Sequence, residues 1–469
     1  MSLFRTLGIG HSGMQSSQTG LNNTGHNIAN AGVEGFTRRK TVLGIQEPQR
    51  YGGQWMGRGS RVDNILRSYD SFLDAQVRRD KSAYAYLDAR GRTLNAVERL
   101  FETEGANDIG ARMSSFFNAA RSLSEQADDN AARRELLLAA EQTALAFRNL
   151  DGDLQSMQGT IDREISAKVD EINTLTGIVS ALNPRIAGGE LDEQEAADLR
   201  DQRDQALRRL SELVQVNIIT EPSGMTSVRL ASGDLLVDKS DQFTLATSPD
   251  PDNNGLMAVQ VVNRRGGARN VTSALGQGEL GGLVSVRDDD IPQWRATLDQ
   301  LAFSFATAVN AAHQGGVGLD GVGGRDIFTG VADVQGAAST IAVDPDMLAN
   351  PDRVAAAADG LGLPQGNTNA LAMADLDSAE LADLGGVNVR EAFGELVYAV
   401  GRTTADNEEL MNRKAVEAEQ SQSLFDSVTG VSIDDEMIEL TKYQRHFEAS
   451  ARVITTVDQL LDSVLALVG

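Results

Sequence analysis

The stretch Ile433-Asp434-Asp435-Glu436-Met437-Ile438-Glu439-Leu440 opens a run in which Ile433, Leu440, Phe447, Ile454, Leu461 and Val468 follow one another every seven residues. That spacing draws an apolar seam along one face of a helix, and such a seam needs another helix to cover it. Leu7, Met14, Leu21 and Ile28 repeat the same seven-residue step near the start of the chain. Seams at both ends imply that the ends pair with each other or with copies of themselves. This is the layout of a self-assembling rod subunit rather than of an enzyme.

Working outward, the opening segment 1–30 is periodic but intrinsically weak as a helix. Gly8, Gly10, Gly13, Gly20 and Gly25 each cost about 0.8–1 kcal/mol relative to alanine in a helix interior. Small residues, Gly10, Ser17, Thr24 and Ala31, alternate with the large ones and permit close approach of a partner helix. Alone, this segment is expected to be largely disordered. Residues 32–61 then turn glycine-rich and read as turns and short extended pieces.

Helical patterning begins at 68–101, with Leu87, Leu94, Val97 and Leu100 on one face. A longer helix is expected over 130–182, its core positions running from Leu150 through Leu154, Ile161, Ile165, Val169 and Ile172 to Leu182. Asn183-Pro184 should end it, because proline disfavours helix in the residue before it. Gly188-Gly189 forms a bend, and a second arm over 192–214 completes a helical hairpin. After Val214 the period shortens to alternation, punctuated by Pro222-Ser223-Gly224, Ser232-Gly233 and Asn253-Asn254-Gly255, which predicts a small antiparallel β unit. Helix returns over 280–312, and from Val387 onward the chain is almost wholly helical with a break near Thr429-Gly430. Residues 331–384 carry no clear period.

Composition narrows the function classes. The chain of 469 residues has room for two to four domains. A formal net charge of −25 and a pI near 4.6 argue against nucleic acid and anionic membranes as partners. There is no cysteine, so disulfides and thiolate metal sites are excluded. No run of about 18 apolar residues suggests a membrane span. The first thirty residues lack the basic start, apolar stretch and small-residue site of a secretory signal, so any export is expected to use a route that reads something else.

The candidate chemistry is thin. Gly8-Ile9-Gly10-His11-Ser12-Gly13 matches the dinucleotide fingerprint by letter, but seven residues upstream leave no room for the strand it requires. Asp250, Asp252, Asn254 and Gly255 mimic half of an EF-hand loop, yet Val261 stands where the bidentate carboxylate belongs. An ordinary Asx turn is the simpler reading. Asp288-Asp289-Asp290 is expected to open a helix, where the dipole favours negative charge. The four histidines, His11, His26, His313 and His446, fall at no metal-ligand spacing. No catalytic, cofactor or metal site is expected.

The segment Asn27-Ile28-Ala29-Asn30-Ala31-Gly32-Val33-Glu34-Gly35-Phe36-Thr37-Arg38 resembles the N-terminal signature of the bacterial flagellar rod, hook and hook-associated axial proteins. That family usually carries tyrosine where this chain has Phe36, which keeps the aromatic packing and loses a hydroxyl. Tyr443-Gln444-Arg445-His446-Phe447-Glu448-Ala449-Ser450-Ala451-Arg452, with Thr455-Thr456-Val457-Asp458, is similar to the family's C-terminal signature. Three interior segments resemble its hook-associated branch: Leu199-Arg200-Asp201-Gln202-Arg203-Asp204, Gly278-Glu279-Leu280-Gly281-Gly282-Leu283 with Arg287-Asp288, and Ile341-Ala342-Val343 with Asn350-Pro351-Asp352. The likeness covers both ends and much of the centre, and fades between Gly330 and Leu384.

The resemblance implies a structural subunit, exported by the flagellar type III apparatus, that forms the hook–filament junction at the distal end of the hook. Its implied partners are neighbouring copies, the flagellar hook protein, a second hook–filament junction protein, and a cytoplasmic export chaperone on the C-terminal helix. The expected fold is mainly α with a β-rich outer domain, its terminal helices paired as a coiled coil beside a discontinuous helical bundle. The expected divisions are 1–65 with 428–469 as an inner assembly domain, 66–215 with 277–314 and 387–427 as a helical domain, and 216–276 with 315–386 as a β-rich outer domain. Leu7, Met14, Leu21, Ile28, Asn30, Gly35, Phe36, Ile433, Leu440, Phe447, Ile454 and Leu461 are the expected assembly residues. Two rivals stand beside this reading: another axial subunit, against which the helical hairpin speaks, and a flagellum-exported enzyme with a catalytic middle insert.

Overall fold

A computed structural model describes residues 3–51, 53–101, 108–190, 194–263 and 266–468. The chain opens with helix α1 (Leu3–Asn30), followed by a β ribbon in which β1 (Arg39–Ile45) pairs antiparallel with β4 (Ser60–Arg67). The hairpin of β2 (Gln49–Tyr51) and β3 (Gln54–Met56) lies between them. Helix α2 (Ser71–Glu98) starts at Asp70, whose carboxylate accepts the N–H groups of Phe72 and Leu73. Asp108 and Asp129 cap α3 (Ile109–Glu125) and α4 (Asn130–Gly189) in the same way. Each cap satisfies donors that a helix start leaves open.

Helix α4 is 60 residues long and carries the molecule. Leu150, Leu154, Ile161, Ile165, Val169, Ile172 and Val179 form its buried face, and each contributes about 1.5–3 kcal/mol when fully buried. The expected stop at Asn183-Pro184 does not occur, and the helix runs through Pro184 to Gly189. Tertiary packing outweighs the local penalty of about 3 kcal/mol. Leu182 and Ile186 are buried on either side, and Asn183 donates to the carbonyls of Thr226 and Lys239 at 2.7 and 2.6 Å. Helix α5 (Ala197–Leu213) then returns along α4 as the second arm of the hairpin.

Two small antiparallel sheets follow. The first has order β5-β6-β7-β8, from β5 (Val216–Thr220), β6 (Thr226–Leu230), β7 (Leu235–Asp238) and β8 (Asp241–Gln242). The second has order β11-β10-β9, from β9 (Thr244–Pro249), β10 (Met257–Val262) and β11 (Ala268–Asn270). Both pack on α4. Asp250 accepts from the Asp252 N–H at 3.0 Å and Asn254 is left-handed, so this loop is an Asx turn.

Helix α6 (Glu279–Ser285) passes through a π turn (Val286–Asp290) into α7 (Ile291–Gln314). The acidic triplet lies in that turn rather than at a free helix start. Asp288 pairs with Arg287 at 2.7 Å and Asp290 with Arg90 at 2.8 Å. Arg287 is fully buried and also reaches Asp162 on α4 at 2.6 Å and the Met257 carbonyl at 2.9 Å, which ties the second sheet to the long helix.

Residues 315–386 do not extend the β unit. They form two-residue strands β12 (Phe328–Thr329) and β13 (Ala342–Val343), with short helices α8 (Ala337–Thr340), α9 (Pro345–Ala349) and α10 (Thr368–Asp375). These pack on α3, α4 and α7. Buried polar side chains hold the segment there. Asn310 accepts the Ile327 and Phe328 N–H groups, and His313 accepts the Ala355 N–H at 2.8 Å. Beside it, Phe116, Phe117, Phe147, Phe305 and Phe328 stack into the aromatic centre of the core. Helix α11 (Val389–Thr429), with a capping box of Asn388 and Glu391, returns along α2 and hands the chain to α12 (Ile433–Val468).

Candidate assembly interface

The two terminal helices pair antiparallel: Gly10 lies against Ile454, Gly20 against Tyr443, and Asn27 against Glu436. The contact is small-to-large. A Cβ built on Gly20 would fall 2.4–2.6 Å from three ring atoms of Tyr443, and one on Gly10 would fall 2.9 Å from Ile454 Cγ1. The buried positions of α1 are Gly10, Ser12, Ser16, Ser17, Gly20, Asn23, Thr24 and Asn27. Small residues let the helix backbones approach closely, and Tyr443 and Ile454 fill the space they leave.

The expected assembly residues are placed less deeply. Leu7, Met14, Leu21 and Ile28 are half-buried, as are Leu440, Phe447, Ile454 and Leu461, while Ile433 is exposed. The side chain of Val468 lies outside the described residues. Among the described side chains of α12, the buried ones are Glu436 and Val457. They belong to the companion row Glu436, Tyr443, Ser450, Val457, offset by three from the row read first. Its mixed chemistry hides it from a search for large apolar residues, although the three-and-four step of a heptad points to it.

The signature segment is a clamp where the terminal pair meets the helical body. Asn27 is 1% exposed and grips Arg39 twice, accepting its N–H at 3.0 Å and donating to its carbonyl at 2.8 Å. Asn27 also donates to Glu436 at 3.1 Å, and Arg38 reaches the other oxygen of Glu436 at 2.7 Å. The Arg38 N–H donates to the Thr429 carbonyl at 2.8 Å. Asn30 donates to the carbonyl of His26, one turn back on its own helix. Gly35 turns with φ +81° against Gln205. Phe36 stacks on His26 at 5.5 Å and lies under the Arg39 guanidinium at 5.0 Å.

On the body side, the Asp201-Gln202-Arg203-Asp204 run of α5 receives the clamp. Thr37 donates to Asp201 at 2.7 Å, and Arg39 pairs with Asp198. Arg67, at the end of β4, donates to Asp201 at 2.7 Å, Asp204 at 2.9 Å and Glu195 at 3.0 Å, with its side chain 2% exposed. Burial opposes the Arg67 charge, but Asp204 and Asp201 more than offset it and hold its pKa above the ordinary value. Beside it, burial with the nearby Asp204 charge pushes the Tyr69 hydroxyl up to about 12. A buried charge stripped of its partner is strongly destabilising, so this network sets one arrangement of ribbon and α5.

The arrangement offers packing surfaces. Gly8-Ile9-Gly10-His11-Ser12-Gly13 lies inside the continuous helix α1, so its N–H groups are spent on helical bonds. Among the described residues no group of three or more His, Asp or Glu could hold a metal ion, and no helix is long and apolar enough to cross a membrane.

Fold and termini together define a subunit whose two ends form one helical pair. Residues 94–328 match the Flagellar hook-associated protein FlgK helical domain, and residues 422–467 match the Flagellar basal body rod FlgEFG protein C-terminal region. The chain is 25% identical to Flagellar hook-associated protein 1 of Escherichia coli (strain K12), over 97% of its own length and 98% of that protein. It is equally 25% identical to the Bacillus subtilis (strain 168) protein of the same name, over 99% and 98% of the two chains. The flagellar hook junction protein FlgK from Burkholderia pseudomallei shares the fold, with a TM-score of 0.65 at 16% identity, covering 76% of this chain and all of that one. The chain belongs to the FlgK family of flagellar hook-associated proteins. That family supplies the structural protein of the hook–filament junction, and this chain is a structural protein of the flagellum.

Proposed function

We propose that the chain assembles through α1 and α12 into a short zone at the distal end of the hook, on which the filament side of the junction is built. The supporting observation is what pairing leaves uncovered. With one face of α12 against α1, Ile433, Met437, Ile438, Val453, Leu460, Val464 and Leu465 remain 40–69% exposed. Apolar side chains left exposed along α12 mark it as an interaction surface, and neighbouring copies with the same helices are suited to cover it. Leu7, Met14, Leu21, Ile28, Leu440, Phe447, Ile454 and Leu461, half-buried within one chain, complete their burial in the zone. Asn30, Gly35 and Phe36 hold the base of the pair.

On this reading the inner unit is 1–65 with 428–469, the β unit 216–276 faces outward, and the rest is the helical body between them. The hook protein lies below the zone and the second junction protein above it, and an export chaperone holds α12 before assembly. The role is structural rather than enzymatic. The test is to add labelled protein to isolated hooks stripped of filament and junction proteins. Label confined to distal tips, and lost on removing residues 433–469, is the expected result. Label along the hook points to another axial role, and no label overturns the reading.

A further inference from the structure

The ribbon of β1–β4 and its hairpin is a basic, apolar knob on an acidic molecule. Residues 37–68 hold seven arginines and lysines against two acidic residues in a chain of net charge −25. Three of them, Arg38, Arg39 and Arg67, serve the chain's own clamp. Lys40, Arg50, Arg58 and Arg61 face solvent. Between them stand Trp55 at 71%, Ile45 at 80% and Leu43 at 47% exposure. Tryptophan and arginine are the residues that most often anchor protein interfaces.

The opposite character lies at the elbow where α11 passes into α12. Residues 415–440 hold seven acidic residues and no basic one, although Glu417, Glu436 and Glu439 are paired with Lys414, Arg38 and Lys442. Asp426, Asp434 and Asp435 are exposed beside Leu424, Val428 and Met437, which are 43–50% exposed.

Knob and elbow lie at opposite ends of the terminal pair. The ribbon is rooted beside Asn27 and Glu436 through Arg39 and Arg38, then runs back along α1. Ser60 meets Ser16, and Met56 meets Arg5. From Asn27 to Arg5 is about 33 Å at 1.5 Å per residue, so the Trp55 end does not reach its own elbow. A surface whose complement lies at the far end of the same molecule makes a head-to-tail contact between copies.

We propose that the Trp55-bearing end of the ribbon docks on the α11–α12 elbow of the next copy, with Arg50 and Arg58 against Asp434 and Asp435. This rests on the self-assembly reading and names its axial contact. Opposite charge steers and registers such a contact, and the apolar side chains supply its centre.

Charge exchange tests it on stripped hooks with the full-length chain. Arg50→Glu with Arg58→Glu should weaken tip assembly about thirtyfold, as loss of an interface hot spot does. Asp434→Lys with Asp435→Lys should do the same, and mixing the two reversed chains should restore assembly. The absence of cysteine makes a second readout clean. Trp55→Cys combined with Met437→Cys should give a covalent ladder of this chain on oxidation of decorated hooks. Decorated tips on which the reversals are harmless and no ladder forms overturn the proposal while leaving self-assembly intact. Wild-type protein that fails to decorate hooks removes the self-assembly reading, and the proposal with it.

Discussion

Gly20→Ala, set against Gly25→Ala, isolates the close approach of the terminal helices. Both glycines lie inside α1, so each alanine gains the same helix propensity, about 0.8–1 kcal/mol. At Gly25 nothing lies within 4 Å of the added Cβ, whereas at Gly20 it falls 2.4, 2.5 and 2.6 Å from ring atoms of Tyr443. The ring must swing out or the helices must part, and overpacking of this kind costs about 1–3 kcal/mol. The propensity gain cancels in the comparison, so the whole steric term remains. Gly20→Ala should therefore assemble about 5- to 150-fold more weakly than Gly25→Ala. Quantitative binding of both full-length variants to stripped hook tips measures the ratio. Tyr443→Ala in the Gly20→Ala background should recover part of the loss by removing the obstacle. Equal binding by the two glycine variants would refute the reasoning, because the helices would then not be paired at the distance described.

Phe447→Asp places a charge on the half-buried face of α12, and a loss of about 2–4 kcal/mol in assembly is expected on the scale of interface hot spots. The melting of the helical body should stay unchanged, which circular dichroism of the free chain checks. Burial lowers the His313 pKa below its usual 6.5, with Nδ1 donating to the Arg325 carbonyl and Nε2 accepting from Ala355. The unfolded chain then binds the proton more readily, so stability falls as pH drops below the unfolded value. The denaturation midpoint should drop between about pH 7 and pH 5, and His313→Gln should flatten that part of the profile. Arg287→Ala leaves Asp162, Asp288 and the Met257 carbonyl without their shared partner. A loss of about 3 kcal/mol is expected, with faster hydrogen exchange in 257–262 as its local sign.

Much of the architecture was legible because its period is long and repeated. The heptads of both ends and the two arms of α4 and α5 follow from spacing, and the β unit from its alternation and turn residues. The seam was read only in part, because large apolar residues show one row while Glu436, Tyr443 and Ser450 show nothing to a hydropathy pattern. The buried side of α1 is likewise glycine, serine, threonine and asparagine, chosen for size and not for hydrophobicity. Pro184 misled in the other direction: a local rule gave way to Asn183, whose partners Thr226 and Lys239 lie 43 and 56 residues onward. The placement of 315–386 rests on Asn310, His313 and Arg133, which bond the backbone of Ile327 and Phe328, of Ala355 and of Val354 in turn, and no periodicity announces those. The Asp201-Gln202-Arg203-Asp204 run stood out as a motif, but its task did not, since Arg67 is 134 residues away from Asp201.

Hydrogen exchange of the full-length chain, free in solution and bound to hook tips, tests the central claim that the terminal pair completes its burial only between copies. Weak protection of residues 3–30 and 433–468 is expected in the free chain and strong protection once bound, with α4 protected alike in both. Equal, strong protection of both terminal helices in the free chain would contradict it, because the pair would then be a finished core that needs no neighbour.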